Sequence, residues 1–285
     1  MRLSLVVSLS ATSFAAVAMR SGWADLERVA ALGYDGVELA IRDPAEVEAT
    51  ALADRCAALG LPVAALGTGQ AFLRDGLALA SPAAGIRRAT IERLKRHVHL
   101  ASVLNALPGA PPAGVQVIVG LIRGWAGADR RAVMGWLREG LEAILPHADA
   151  AGVGMVLEPI SRFELDTLNT IDEALAFIHG IGHRRLGLLA DTYHMHAEEI
   201  SMEASLRRAA PVLRHVHVSD SNRRPPGGGR LDFGAILSVL EEIGYDGYLS
   251  AETLPYPDPE RAAQMTLEHL RPLQMAISER RRVSS

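Results

Sequence analysis

Short apolar runs alternate along this chain with longer stretches in which apolar residues recur every three or four positions. The first kind of run reads as buried strand and the second as amphipathic helix. Leu3 to Leu9 is the first expected strand, followed by a helix over Trp23 to Leu32. GYDGVELA (Gly33 to Ala40) supplies a turn and a second strand, and Asp43-Pro44 opens a helix through Leu59, since proline suits a first helical turn. LPVAALGTGQ reads as a third strand ending in a Gly-rich loop, and the long helix IRRATIERLKRHVHLASVL lies within Pro82 to Val103. Ala106 to Gly114 is read as a long loop leading into the strand GVQVIVG. Helices are then expected over Asp129 to Ala151, Thr170 to Gly180, Glu198 to Ala209, Phe233 to Ile243 and Asp258 to Ile277. Strand and helix alternate eight times with no shift in composition. That pattern predicts an α/β fold, a single (β/α)8 TIM barrel, with residues 1–285 as one domain.

With 285 residues and 49% hydrophobic content, the chain can bury a full core. The start, MRLSLVVSLSATSFAAVAM, imitates a secretory leader, but Ser4, Ser8, Ser10, Thr12 and Ser13 interrupt its apolar stretch, and the barrel pattern needs a strand there. A net charge of −4 provides no basic field for nucleic acid, and no membrane span is indicated. The one basic cluster, Glu279-Arg280-Arg281-Arg282, reads as a frayed, solvated end. A lone cysteine, Cys56, excludes internal disulfides and cysteine-based zinc sites, and it fits a reducing compartment, so a cytoplasmic location is expected. Lys95 is the only lysine and lies mid-helix, which leaves Schiff-base chemistry one poor candidate.

Four of the apolar runs stop on a metal-capable side chain: GMVLE on Glu158, LGLLAD on Asp191, HVHVSD carrying His217, and GYLSAE on Glu252. In a barrel strand alternate residues face the axis, so these four point inward, as does His215, while Leu157, Ala190, Val216 and Ala251 face the helices. Three carboxylates and one imidazole are a mostly hard ligand set. It suits one divalent ion, Mn²⁺ or Mg²⁺, with Co²⁺ also compatible. Glu38, between Val37 and Leu39, reads either as a support for the site or as a buried structural partner. Arg123 in GLIRG is a candidate anion ligand, and Gly227-Gly228-Gly229 suggests a flexible loop.

The segments LEPISRFELDTLNT, LLADTYHMHAEE, HVHVSDSNRRPPGGGRLDF and GYDGYLSAE resemble the sugar phosphate isomerase/epimerase family of xylose-isomerase-like barrels, and in particular its ketose 3-epimerase branch. The likeness is specific over residues 150–256 and looser in the N-terminal half, through GYDGVELA, TGQAFLRDGL and GLIRG. It implies that Glu158, Asp191, His217 and Glu252 hold the metal and that Glu158 and Glu252 double as acid/base residues. It further implies that Glu164, His194 and Arg223 contact substrate. Two departures stand out: Ser102 to Gly114 is longer and richer in Pro and Gly than expected, and Arg230 stands where related chains often carry histidine.

The expected chemistry follows from the ligands. An ion chelated by a ketose carbonyl and its neighbouring hydroxyl acidifies the C–H between them, and two carboxylates on opposite faces can remove and return the proton, inverting the carbon. Proton transfer on a single face would instead give aldose–ketose (or hydroxypyruvate-type) isomerisation, and expulsion of a β-hydroxyl an inosose-type dehydratase. An abasic-site endonuclease of the same superfamily needs several metals, and six of the ten histidines fall in helices or connections. A non-catalytic sugar-binding barrel would be expected to lack the acid/base pair. The partner is a small sugar or sugar phosphate. Substrate identity and any homo-oligomeric assembly are left open by the sequence.

Overall fold

In the computed structural model, which describes residues 1–12, 14–112, 114–127 and 129–284, eight parallel strands close into a barrel in sequence order. The strands are β1 (Arg2–Ser8), β2 (Gly36–Ala40), β3 (Val63–Gly67), β4 (Gln116–Val119), β5 (Gly154–Leu157), β6 (Leu186–Asp191), β7 (Leu213–Val218) and β8 (Tyr248–Ala251). β1 pairs with both β2 and β8, so the apolar N-terminal run closes the barrel. The helices are α1 (Ala24–Leu32), α2 (Ala49–Ala58), α3 (Gly69–Asp75), α4 (Ala84–Leu104), α5 (Arg130–Ala150), α6 (Ile171–Ile181), α7 (Thr192–Glu198), α8 (Met202–Ala209), α9 (Phe233–Glu242) and α10 (Pro259–Ser284). No described helix is long and apolar enough to cross a membrane.

Alternation along the strands sorts the side chains into two compartments. Outward residues such as Leu5, Leu39, Val117, Leu157, Ala190, Val216 and Ala251 join the helices in one large core. Each fully buried Leu or Val there contributes roughly 1.5–3 kcal/mol. Inward residues Ala65, Ile118, Val156 and Leu189 form a small separate plug in the barrel. Below the plug, a Cβ on Gly187 would meet the Arg214 side chain at 2.5 Å, so glycine there is a packing requirement. Above it the inward positions turn polar.

Several boundaries differ from the sequence reading, each for a local reason. The helix expected from Asp43 is one 3-10 turn, Pro44–Glu46, followed by α2, because the Glu48 carboxylate accepts from the Thr50 and Ala51 amides and restarts the helix. The Gly-rich segment after β3 is the short helix α3, closed by Gly76 in the left-handed region. The helix expected over Glu198 to Ala209 is α8, which starts later, at Met202, and the short helix α7 precedes it directly after β6. Asp191 caps α7, and Ser201 caps α8 by accepting from the Ala204 amide. The Pro/Gly-rich lead into β4 packs at the base of the barrel, where the Gly109 carbonyl accepts from Arg2 (2.5 Å) and the Tyr248 hydroxyl (3.0 Å). α10 continues through the basic tail expected to fray; the side chains of Arg281 and Arg282 lie outside the described residues, as do Ser13 and Ala113.

Candidate active site

The carboxyl ends of the strands bring together the side chains that their spacing singled out. Glu158 follows β5 directly, Asp191 ends β6, His217 sits one residue from the end of β7, and Glu252 follows β8. All four are buried, and each offers a ligand atom within 4.8 Å of the others. His217 Nδ1 lies 3.5 Å from Glu158, 3.6 Å from Asp191 and 3.5 Å from Glu252, with no hydrogen-bond partner among the described residues. The far side of its ring explains this orientation. His217 Nε2 is 3.1 Å from both oxygens of Glu38, which also takes a 2.8 Å bond from His215 Nε2. A carboxylate accepts and cannot donate, so Glu38 holds the proton on Nε2 and turns the Nδ1 lone pair toward three more carboxylates. Such an arrangement calls for a cation shared among the four groups: a proton on Nδ1, or a divalent ion of the hard class. Burial alone would disfavour the Glu38 charge, but His217 and His215 outweigh it and hold this carboxyl well below the usual range.

The four groups are not electrostatically equivalent. Burial pushes the Glu158 carboxyl up to about 7; His217 pulls against the rise, and the charges of Glu252 and Asp191 add to it. Burial also opposes the Asp191 charge, yet Arg223, His194 and His217 together hold that carboxyl far below its ordinary value. His217 would be lowered by burial but is raised well above normal by Glu38, Glu252 and its other acidic neighbours. His194, in α7, is pushed down to about 3 by burial against the pull of Asp191, so its imidazole is neutral at working pH. Its Nε2 lies 3.9 Å from Asp191, and its Nδ1 has no partner among the described residues.

Arg223 is the residue that the resemblance implies as a substrate contact, and its sequence context is polar. It is buried, with a positive φ of 62°, and its guanidinium donates to Asp191 (2.5 Å) and Glu252 while lying 4.8 Å from the centre of the Tyr193 ring. It still lines the pocket. Arg123 is fully buried and no anion ligand: it donates to the carbonyls of Gly120 (3.2 Å), Thr167 (2.8 Å) and Glu158 (2.9 Å), tying down the loop that carries Glu164. Gly227 to Gly229 form an ordered turn, because the Asp220 carboxylate accepts from the amides of Gly227 (2.9 Å), Ser221 (2.8 Å) and Leu231 (3.1 Å). Glu38 is the group whose part the sequence left open; its signal was a single acid between two core residues on a strand facing HVHV.

Above the four groups opens a pocket whose empty volume, counted out to solvent, is ≈ 520 Å³. Glu164 and His194 line it beside Glu158 and Glu252, while Val6, Phe14, Ala40 and Ile160 make an apolar wall. Burial raises the Glu164 carboxyl, with Arg223 opposing. Gly120 faces Glu158 so closely that a Cβ there would collide with its carboxylate.

Comparison with known proteins gives this geometry its context. The family described as xylose isomerase-like TIM barrel matches residues 26–273. An L-ribulose 3-epimerase of Mesorhizobium japonicum is 33% identical over 242 residues, 82% of this chain and 77% of the relative. A ketose 3-epimerase of Arthrobacter globiformis is 30% identical over 216 residues, 75% of this chain and 71% of the relative. The solved structure of an L-ribulose 3-epimerase superposes with a TM-score of 0.82 at 26% identity, covering 100% of this chain and 98% of the other. An eight-stranded barrel with a buried Glu/Asp/His cluster at its carboxyl rim, matched along nearly its whole length by sugar epimerases, belongs to the xylose isomerase-like TIM-barrel family.

Proposed function

We propose that the protein is a ketose 3-epimerase acting on a free, unphosphorylated ketose. In this reading Glu158 and Glu252 form the acid/base pair, and Glu158, Asp191, His217 and Glu252 form the site of one divalent ion, Mn²⁺ or Mg²⁺ by ligand hardness. The observation that carries it is the entry of two buried carboxylates from β5 and β8, three strands apart around a closed barrel, onto one point at the pocket floor. Two bases reaching a substrate from different sides can remove a proton from one face of a carbon and return one to the other.

A bound divalent ion would supply Lewis acidity toward a carbonyl and the hydroxyl beside it, making the C–H at C3 labile. The remaining work falls to the chain. Glu158, whose carboxyl is pushed up to about 7, is poised to exchange a proton near neutral pH. Glu252, held by Arg223, serves the opposite face. Loss of the C3 proton to one carboxylate leaves a planar carbon, and delivery of a proton from the other regenerates the C–H bond with inverted configuration. Neutral His194 and the half-buried Glu164 can hold substrate hydroxyls on the same wall. Among the described residues lining the pocket the one arginine, Arg223, is already engaged by two carboxylates and no lysine is present, which favours a neutral sugar over a phosphate ester.

The test is incubation of Mn²⁺-loaded enzyme with free ketoses and ketose phosphates in D₂O, followed by NMR. The expected result is deuterium at C3 together with the C3 epimer of a free ketose. An aldose product with label at C1 or C2, or a dehydrated product, would replace this reading with an isomerase or a lyase.

A further inference from the structure

Gln70 stands apart from the groups already described. It belongs to the first turn of α3, is 2% exposed, and lines the same pocket from the side of β1, β2 and β3. Its amide is held in one orientation. The Nε2 group donates to the Ala40 carbonyl at 3.1 Å, an atom that can only accept, and to Ser8 Oγ at 2.9 Å. Ser8 Oγ spends its own proton on the Ser10 carbonyl at 2.7 Å, so it too must accept from the amide. Both Nε2 protons are thereby used, and Oε1 is the end left over, buried and without a hydrogen-bond partner among the described residues.

A buried acceptor left unpaired is costly, and folded proteins rarely keep one without a use. Around Gln70 the wall is apolar: Val6, Val17 and Ala40 pack together with Phe14 against them. A ketose whose reacting carbons lie between Glu158 and Glu252 extends the rest of its chain toward this wall. Resting on the proposed epimerase activity, we infer that Gln70 is a specificity-determining substrate contact, its Oε1 accepting a hydrogen bond from one hydroxyl beyond the carbon that is epimerised. The group recognised is a neutral hydroxyl, a donor; a hydrogen at that position leaves the oxygen unpaired, and a carboxylate or phosphate there would face a second acceptor. Recognition of this kind discriminates strongly, since a site built to pair with a hydroxyl rejects the analogue that lacks it.

The experiment compares kcat/KM for the best ketohexose substrate with its 4-deoxy, 5-deoxy and 6-deoxy analogues, in the parent and in Gln70→Met. The parent is expected to lose about 10- to 100-fold on one analogue, and Gln70→Met to remove that discrimination while leaving the other two ratios in place. Because each ratio is taken within one protein, a general loss of activity cancels. Should Gln70→Met not fold, Ser8→Ala, which takes away one of the two bonds orienting the amide, is expected to reduce the same ratio and no other. Ratios in the folded variants equal to those of the parent overturn the assignment of Gln70 alone. A parent protein that epimerises no ketose overturns the functional reading, and the inference falls with it.

Discussion

Replacing Glu38 by Gln exchanges one carboxylate oxygen for an NH₂ group outside the proposed metal site, and it is expected to weaken that site selectively. Glu38 accepts from His215 at 2.8 Å and from His217 at 3.1 Å to each oxygen, and it is 1% exposed, so water cannot substitute. An amide of the same shape has one oxygen for two imidazole N–H groups and presents an N–H₂ where the second oxygen stood. One imidazole must then give up its Nε2 proton. If His217 does so, the proton moves to Nδ1 and occupies the lone pair that faces Glu158, Asp191 and Glu252. If His215 does so, His217 keeps its tautomer but loses the charge that raised its basicity. Partners of this kind are worth about 10- to 100-fold in metal affinity, or roughly 1.4–2.7 kcal/mol. Calorimetric titration of chelator-treated protein with Mn²⁺ measures the affinity, ¹⁵N NMR of the imidazoles reports the tautomer, and circular dichroism checks the fold. A folded Glu38→Gln protein that binds Mn²⁺ within twofold of the parent would refute the argument.

Three further outcomes are expected. Glu158→Gln should block C3 proton exchange from one epimer and Glu252→Gln from the other; turnover in both directions with normal metal content in either variant counts against two bases. Gly120→Ala drives a methyl into the Glu158 carboxylate, a movable side-chain end, so stability should change little while kcat falls on the order of 100-fold, the usual penalty for a misplaced group; near-parental kcat would show that Glu158 tolerates displacement. Asp75 sits under Arg93 (2.8 Å) and Arg42 (2.9 Å); burial opposes its charge, but these bonds hold its carboxyl below the ordinary value. A lowered folded-state pKa contributes stability that is present above the unfolded value of about 3.9 and is lost as pH falls through the folded one. Melting temperatures measured from pH 5 downward should therefore drop less steeply for Asp75→Asn than for the parent, and equal slopes would argue against this contribution.

The barrel and the four converging side chains were legible in the sequence because both rest on local periodicity. A strand with two buried faces is an apolar run, an inward polar residue at its end interrupts that run, and four such interruptions at Glu158, Asp191, His217 and Glu252 share one rim once the strands are parallel. The start of α6 at Thr170 is likewise a short-range event, whereas α7, capped by Asp191, is too short for its apolar spacing to show, and Ser201 sets the start of α8 at Met202 rather than at Glu198. Everything decided by partners distant in sequence required the tertiary structure. Glu38 meets His215 and His217 some 180 residues later, across the barrel axis. Arg223 folds inward because Asp191 and Glu252 offer two carboxylates, and Arg123 is buried because three carbonyls converge on it. Gln70 has the sequence signature of any loop glutamine; only closure of β1 and β2 beneath it uses up both amide protons and leaves its oxygen buried and unpaired. Periodicity tells a side chain which face it is on, whereas its charge state and bonding are set by whatever the opposite strands bring to the same few ångströms.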